Sequence, residues 1–461
     1  MSVVLGLGVS ACEPDASSGT GGRSGSSTSS TGGSSGTATG DAGSTSGTGG
    51  DAGSTQTGTS SGSGGSAGAL PTFTTSVITN RHRFIPGQMF GGWGPHLGHL
   101  IRSLAQDEST ALYWVDDACS QAGGPAPVCD VLHNSTLGTY RLDAAGWTAL
   151  QEVTLPGKIQ QNTGTIEREG TLYTYGVDVE SHVVRECSFD TTASVQTCTS
   201  LPFTLDSYAN YIGAAISPQG YRLVHWTDVV DGGGGSFEFI INYGGGWNGP
   251  RKGSAAGYND ASYIHIAFQK NSTLFTMHGQ LVSGLAPNWS FLGAVGDGDL
   301  AQDLPVTWSN ALAAPQGDTV ASTNDIHIDP VSSDTHLFAR ATSGAALYYF
   351  RPNGGSWSGP LFTLPSAYRV RFSASSAGLA MAYGLAGKGL FYRLAPSPTP
   401  GEPIDWSNLV ETAVPLPPGY ENVVAIYPES SVYQSAPVGG FHLAVVGETK
   451  QNEVLFVAIQ P

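Results

Sequence analysis

Histidine and arginine residues recur at wide intervals in short apolar segments of this chain, and they are the first candidates for chemistry. They are His99, Arg102, His265, His327 and Arg371. Each lies in or beside a segment that we predict to be the first strand of a repeated β unit, so strand alternation points the side chains toward a common centre. Converging imidazole and guanidinium groups suit a carboxylate or sulfate ligand. The alternative is a polar channel whose side chains hydrogen-bond to one another and to water.

Asparagine and tyrosine residues just ahead of the same segments form a second candidate set. Its ligand-binding members are Asn210, Asn259 and Asn422. Asn side chains can hydrogen-bond to sugar hydroxyls, and neighbouring Tyr rings can stack on sugar faces. They can equally cap strand ends and bridge adjacent units. Both interpretations stay open.

The same region allows a catalytic interpretation, that of a polysaccharide lyase. A lyase needs a His or Tyr to take the proton α to a uronate carboxylate, and an Arg or His to neutralise that carboxylate. The residues available for this are His99, Arg102, Tyr211, Tyr258 and Arg371. No spacing forces catalysis, so three alternatives remain: binding of a glycan, which we favour, a lyase or glycoside hydrolase, and a protein-interaction scaffold without a small ligand.

Two short segments carry possible metal ligands. Trp93, His96 and His99 lie on a Gly-rich approach to the first repeat, where Trp93 and His96 are ligand-binding candidates. A His-x-x-His pair is a weak zinc signal because no third ligand at a characteristic spacing accompanies it. Asp297, Asp299 and Asp303 could hold Ca²⁺, although they do not match an EF-hand loop and could form an acidic surface turn.

The elements that position these residues are short alternating strands separated by Gly-, Asn- and Asp-containing turns, with no long helical periodicity after residue 70. A Trp follows a turn at five places: Trp147, Trp247, Trp289, Trp357 and Trp406. Internal similarity of this kind, at about 45–60 residues a unit, is typical of four-stranded propeller blades. It predicts inner strands near residues 100, 163, 213, 265, 327, 371 and 424, hence seven blades. Segment 73–78 would complete the last blade as its outermost strand.

Two near copies carry a family resemblance, Gly-Gly-Trp-Asn-Gly-Pro at 245–250 and Gly-Ser-Trp-Ser-Gly-Pro at 355–360. With the repeat length, they resemble sialidase-like (BNR-type) propellers and propeller lectins over residues 72–461. The resemblance implies an all-β fold, a seven-bladed β-propeller. The Asp-box of true sialidases, Ser-x-Asp-x-Gly-x-Thr-Trp, does not occur in the sequence, which argues against sialidase activity.

The cysteines divide into one near the N-terminus and two close pairs. We predict the disulfides Cys119–Cys129 and Cys187–Cys198, which imply an oxidising compartment. The odd residue, Cys12, ends the segment Val-Ser-Ala-Cys, which resembles the lipobox of bacterial lipoproteins. The resemblance implies a lipid on Cys12. No Lys or Arg precedes the apolar run, so we expect the true start to lie upstream.

These observations predict three segments and a cellular location. Residues 1–12 are a lipoprotein signal, residues 13–70 a flexible Gly/Ser/Thr-rich linker, and residues 71–461 the β-propeller. The formal net charge of -17 argues against binding nucleic acid. We expect an exported monomer that is held to a bacterial outer membrane or cell surface by a lipid anchor alone, with an extracellular glycan as its partner.

Overall fold

The structure is a computed structural model whose described part lies within one compact unit, Leu70–Pro461. The described residues are 70–82, 99–104, 110–118, 136–154, 159–162, 165–178, 180–205, 209–217, 219–230, 234–254, 265–268, 274–279, 289–295, 304–305, 308–309, 320–329, 332, 334–341, 346–353, 356–430 and 440–461. No helix among them is long and apolar enough to cross a membrane.

The described residues form an all-β structure, as the sequence predicts, with one short 3-10 helix at Trp406–Asn408. The first half contains β1 (Thr72–Thr79), β2 (Leu100–Leu104), β3 (Thr110–Ala118), β4 (Thr136–Asp143), β5 (Gly146–Thr154), β6 (Ile159–Asn162), β7 (Ile166–Arg168), β8 (Thr171–Asp178), β9 (Val183–Asp190), β10 (Val195–Thr204), β11 (Ala209–Ile216), β12 (Arg222–Val230), β13 (Gly234–Asn242) and β14 (Trp247–Ser254). The second half contains β15 (His265–Phe268), β16 (Leu274–Gly279), β17 (Trp289–Val295), β18 (Leu304–Pro305), β19 (Trp308–Ser309), β20 (Val320–Ile328), β21 (Thr335–Ala341), β22 (Ala346–Asn353), β23 (Ser356–Pro365), β24 (Ala367–Ser375), β25 (Gly378–Leu385), β26 (Gly389–Ala395), β27 (Thr412–Ala413), β28 (Val423–Ser430), β29 (Phe441–Gly447) and β30 (Val454–Gln460).

The largest sheet joins the two ends of the described unit. Its order is β1-β30-β29-β28-β2-β3-β4-β5. The N-terminal strand β1 pairs antiparallel with the C-terminal strand β30, with Phe73 opposite Ile459, as the sequence predicts. Two antiparallel groups of four strands meet at a short parallel contact between β28 and β2, where Leu100 lies opposite Glu429. This contact brings the first and last repeats together.

The other described strands form five smaller sheets that follow the chain, which we number the second to sixth groups of strands; β2–β5 are the first group, and β28–β30 with β1 are the seventh and last. Their orders are β10-β9-β8-β6 with β7 also on β8, β11-β12-β13-β14-β18, β15-β16-β17-β19, β20-β21-β22-β23 and β24-β25-β26-β27. Paired strands within each of these five sheets are antiparallel, except that the added β18 runs parallel to β14. Pairing follows the chain order apart from β6 with β8, β17 with β19, and β14 with β18. The inner strands predicted near residues 100, 163, 213, 265, 327, 371 and 424 lie in or beside β2, β6, β11, β15, β20, β24 and β28.

Apolar side chains are buried between successive groups of strands. One cluster combines Tyr175 with Trp226, which joins the second and third groups. A second combines Tyr349 with Phe372, joining the fifth and sixth, and others join the first to the second and the sixth to the seventh. A further cluster packs Trp114 of the first group against Tyr427 of the last. Among the residues with described side chains, the first, second, third, fifth, sixth and last groups each share an apolar cluster with a neighbouring group, which is how layered β structures bury surface.

One of the two predicted disulfides lies within the described residues. Cys187 and Cys198 are bonded and face each other as a cross-strand pair of β9 and β10, which confirms that prediction. Cys119, Cys129 and Cys12 lie outside the described residues.

Candidate functional site

The contact between the first and last groups holds a set of buried polar and aromatic side chains. His99 precedes β2, Trp114 and Asp116 lie on β3, and Tyr427 lies on β28. The centroid of the His99 ring lies 5.3 Å from that of Trp114 and 5.2 Å from that of Tyr427. All four residues are buried. The residues come together because Trp114 and Asp116, two apart on one strand, point to the same face, toward β28.

The neighbours of His99 fix its tautomer. Its Nδ1 lies 2.6 Å from the carbonyl oxygen of Val115, and because that oxygen can only accept, Nδ1 carries the proton. Burial lowers the pKa of His99 below its ordinary value, while Asp116 and the Val115 hydrogen bond oppose the shift. The ring is therefore neutral at pH 7, and its Nε2 is a hydrogen-bond acceptor.

A second imidazole, that of His82, lies against the same carboxylate. Nδ1 of His82 is 2.7 Å from Oδ1 of Asp116, and both side chains are buried. The backbone N–H of His82 donates to the carbonyl oxygen of Asn452, which holds the residue beside the last repeat. The His82 ring lies 6.4 Å from both Trp114 and Tyr427, measured between centroids.

Arg371 approaches the same set from β24. Val370 and Phe372 pack toward the fifth group of strands, so Arg371, which alternates with them, faces the last group. Burial lowers the pKa of Arg371, and the nearby Asp325 and Tyr427 oppose this shift. Burial and then Asp116 raise the pKa of Tyr427, whereas Arg371 acts in the opposite direction. The charges of Asp116, Arg371 and Arg369 therefore all act on the phenol of Tyr427.

We call this set the inner-strand cluster. It comprises His82, His99, Trp114, Asp116, Arg371 and Tyr427. It combines the neutral imidazole of His99, the phenol of Tyr427 and the buried guanidinium of Arg371 with the aromatic rings of Trp114 and Tyr427. Such groups can bind a hydroxylated, anionic ligand, and they include the types needed to remove a proton α to a carboxylate.

Arg102 lies elsewhere on β2 and is engaged by two residues of the last group. Its Nε donates to Oε1 of Glu429 at 2.5 Å, and its Nη2 donates to Oε2 at 3.1 Å. Nδ1 of His442 lies 2.6 Å from Oε2 of the same carboxylate. Burial acts to raise the pKa of Glu429, but the hydrogen bonds from His442 and Arg102 outweigh it and hold that pKa below its ordinary value. This arrangement joins β2, β28 and β29.

His327 belongs to a second histidine pair. Its ring stacks on His336 at 6.2 Å between centroids and lies 6.0 Å from Phe372. Nδ1 of His336 is 2.7 Å from the hydroxyl of Tyr349. His327 itself is partly exposed, but its Nε2 atom is buried and has no hydrogen-bond partner among the described residues. Burial lowers the pKa of His327 to about 4.

The other predicted site residues fall into three classes. Asn422 is described, and its side chain accepts from the N–H of Gly387 at 2.6 Å and donates to Glu448 at 2.7 Å, which bridges two turns. The backbones of Asn210, Tyr211 and His265 lie in β11 and β15, while their side chains lie outside the described part. Residues wholly outside it are Trp93, His96, Tyr258, Asn259, Asp297, Asp299 and Asp303. Within the described residues, no group of three or more His, Cys, Asp or Glu could hold a metal ion.

The structure therefore places His99 and Arg371 near Tyr427, and it places Arg102 and His327 in separate side-chain networks. Sequence reasoning missed His82, Trp114, Asp116 and Tyr427. The sequence signal for Trp114 and Asp116 was their i, i+2 spacing on an apolar strand. His82 and Tyr427 could be found only from the pairing of the first and last repeats.

Comparison with solved structures shows what this chain is similar to. No family model matches the sequence, and no curated protein matches it significantly. The polysaccharide lyase Uly1 is 10% identical, covers 84% of this chain and 99% of its own, and superposes with a TM-score of 0.53. At this identity the likeness shows a shared fold and no more.

Two other solved structures superpose with lower TM-scores. A protein of unknown function from Dyadobacter fermentans is 12% identical over 66% of this chain and 100% of its own, with a TM-score of 0.41. The SapL1 lectin, solved with alpha methyl fucoside, is 13% identical over 61% of this chain and 86% of its own, with a TM-score of 0.36. TM-scores below 0.5 do not establish a common fold.

Proposed function

We propose that residues 71–461 form a closed seven-bladed β-propeller that binds an acidic polysaccharide. The support for closure is the β1–β30 pairing together with the parallel contact between β28 and β2. The apolar clusters between successive strand groups, including the first and the last, agree with blades arranged around an axis.

The observation that carries the binding proposal is the inner-strand cluster. Arg371 offers a buried guanidinium for a carboxylate, where charge-assisted hydrogen bonds are strong. His99 and Tyr427 offer polar groups to hydroxyls, and Trp114 supplies an aromatic face. The net charge of -17 does not oppose this because distant charges are screened beyond about 8–10 Å at physiological salt.

A polysaccharide lyase is the second candidate, favoured by one observation. His99 is neutral and its Nε2 is an acceptor, which is the state that a general base requires. In β-elimination such a base takes the proton α to the carboxylate, the glycosidic C–O bond breaks, and a conjugated double bond forms. Arg371 would neutralise the carboxylate, and the phenol of Tyr427 could give a proton to the leaving oxygen.

The N-terminal part of the chain supports a proposal about where the protein acts. We propose that Cys12 carries a lipid and that the Gly/Ser/Thr-rich linker holds the propeller away from the membrane. A coil of about 50 residues has a root-mean-square reach on the order of 40 Å, which is enough to clear the headgroups. The protein would act as a monomer on extracellular glycans.

The test is binding of a galacturonate oligosaccharide, measured by calorimetry, to the full chain and to Arg371→Met. Losing one charge-assisted hydrogen bond at a desolvated site costs about 1.5–3 kcal/mol, so we expect affinity to fall roughly tenfold to a hundredfold. Arg369→Met is the matched control, because Arg369 is also buried on the same face of β24, donates to the carbonyl of Val424 and acts less strongly than Arg371 on Tyr427.

The outcomes separate the candidates. No binding of any acidic oligosaccharide by the wild-type chain, or equal losses in both variants, would contradict the proposal. An ultraviolet absorbance that grows while the wild-type protein is incubated with the sugar would identify the lyase, since the unsaturated product absorbs there.

A further inference from the structure

Two buried tryptophans at equivalent places in the fold differ in their hydrogen bonding. Trp226 lies on β12, the second strand of the third group, and its Nε1–H donates to Oε2 of Glu238 at 3.0 Å. Trp114 lies on β3, the second strand of the first group, and is fully buried. Its Nε1–H has no hydrogen-bond partner among the described residues. The third group satisfies its buried indole with a carboxylate from β13, and no described residue does so for Trp114.

An unpaired acceptor lies two residues further along β3. Asp116 uses Oδ1 for His82, whereas its Oδ2 is buried and has no partner within the described part of the chain. Residues i and i+2 of a strand share a face and lie about 7 Å apart. Folded proteins seldom leave buried donors and acceptors unpaired, so a buried indole N–H and a buried carboxylate oxygen on one face point to a further partner.

Two buried aromatic rings of the inner-strand cluster lie next to the indole of Trp114. The rings of His99 and Tyr427 both lie 5.3 Å from Trp114, measured between centroids. Arg371, which faces the last group of strands from β24, acts to lower the pKa of Tyr427, and it does so more strongly than Arg369. The carboxylate of an acidic sugar would bind to Arg371. Nε1 of Trp114 and Oδ2 of Asp116 would then be available to an uncharged group of the same sugar.

We propose that Nε1–H of Trp114 and Oδ2 of Asp116 together bind one free hydroxyl of the sugar. The hydroxyl oxygen accepts from the indole N–H, and its proton is donated to the carboxylate. A carboxylate or a sulfate ester cannot donate, and an acetyl ester has lost the proton. This inference rests on the proposed function and narrows it: the ligand is a uronate whose hydroxyl at this position is unmodified.

The experiment measures the affinity of the full chain for oligogalacturonate and for the same oligosaccharide after O-acetylation. We expect the wild type to lose roughly tenfold or more on acetylation, because one donor is gone and the carboxylate oxygen is left unpaired. In Trp114→Phe and in Asp116→Asn we expect weaker binding of the free sugar and little further loss on acetylation. Trp226→Phe is the matched control, which removes a buried indole N–H on the equivalent strand.

The results distinguish this inference from the function on which it depends. If the wild type binds no uronate, the proposed function fails. If it binds uronate through Arg371 but acetylation has no effect, or if Trp114→Phe binds like the wild type, the hydroxyl assignment is wrong and the proposed function stands. A crystal structure with the sugar bound, in which only a water molecule joins the two atoms, would also overturn the assignment. If Asp116→Asn does not fold, Trp114→Phe alone decides.

Discussion

At the scale of single residues, the fold keeps several histidines neutral by burying them. Burial lowers the pKa of His99, of His327 and of His336, the last well below its ordinary value. A buried neutral imidazole binds fewer protons than the same residue in the unfolded chain. The contribution of these histidines to stability is therefore fully present above about pH 6.5, the pKa of histidine in the unfolded chain. It is lost as the pH falls from there toward about 4, the pKa of His327 in the fold.

This gives a prediction for the stacked pair His327 and His336. Replacing His336 by Gln removes one titrating group while keeping a side chain that can hydrogen-bond to Tyr349. We expect the melting temperature of His336→Gln to fall less between pH 7 and pH 4.5 than that of the wild type. Thermal unfolding at several pH values measures this. Parallel pH profiles for the two proteins would show that burial of His336 does not make the fold sensitive to acid.

At the scale of strands, the ion pair of Arg102 and Glu429 secures the contact between β2 and β28. The Glu429 side chain is 1% exposed and that of Arg102 is 16% exposed. Removing one partner of a buried pair leaves an uncompensated charge, which is far more costly than losing a surface pair. The sequence suggested a catalytic role for Arg102, and its contacts favour a structural one.

We therefore predict that Arg102→Met lowers the free energy of unfolding by about 3 kcal/mol while leaving affinity for oligogalacturonate nearly unchanged. Arg81→Met is the control, because Arg81 pairs with Glu152 and the two side chains are 29% and 31% exposed. Pairs of that kind contribute about 0–1 kcal/mol. Urea unfolding of both variants provides the comparison. Equal destabilisation, or loss of sugar binding in Arg102→Met alone, would contradict the structural role.

The strands themselves were largely predictable, and their neighbours across the molecule were not. Alternation and turn residues located the inner strands and the closing segment that became β1, because both signals are local. The cluster depends on contacts such as that of His82 with Asp116, which lies 34 residues away, and that of Trp114 with Tyr427 in the last repeat. Periodicity gave His99 and Arg102 similar roles, but the register of β28 against β2 separates them.

At the scale of the whole molecule, we expect the N-terminal segment to determine where the binding domain acts. We predict that Cys12 is the site of lipid attachment, since Val-Ser-Ala-Cys resembles a lipobox. Full-length protein made in a bacterium that processes lipoproteins should incorporate a palmitate analogue. Cys12→Ser should abolish the labelling, and Cys119→Ser should retain it. Labelling that survives Cys12→Ser would remove the lipid anchor from the proposal.

The most direct test of carbohydrate binding is to locate the sugar on the protein. A crystal structure of the protein with a galacturonate oligosaccharide should show a sugar carboxylate within hydrogen-bonding distance of Arg371 and a sugar ring beside Trp114 and Tyr427. Density for the sugar on another surface, with the inner-strand cluster unchanged, would contradict the assignment of these residues to the binding site.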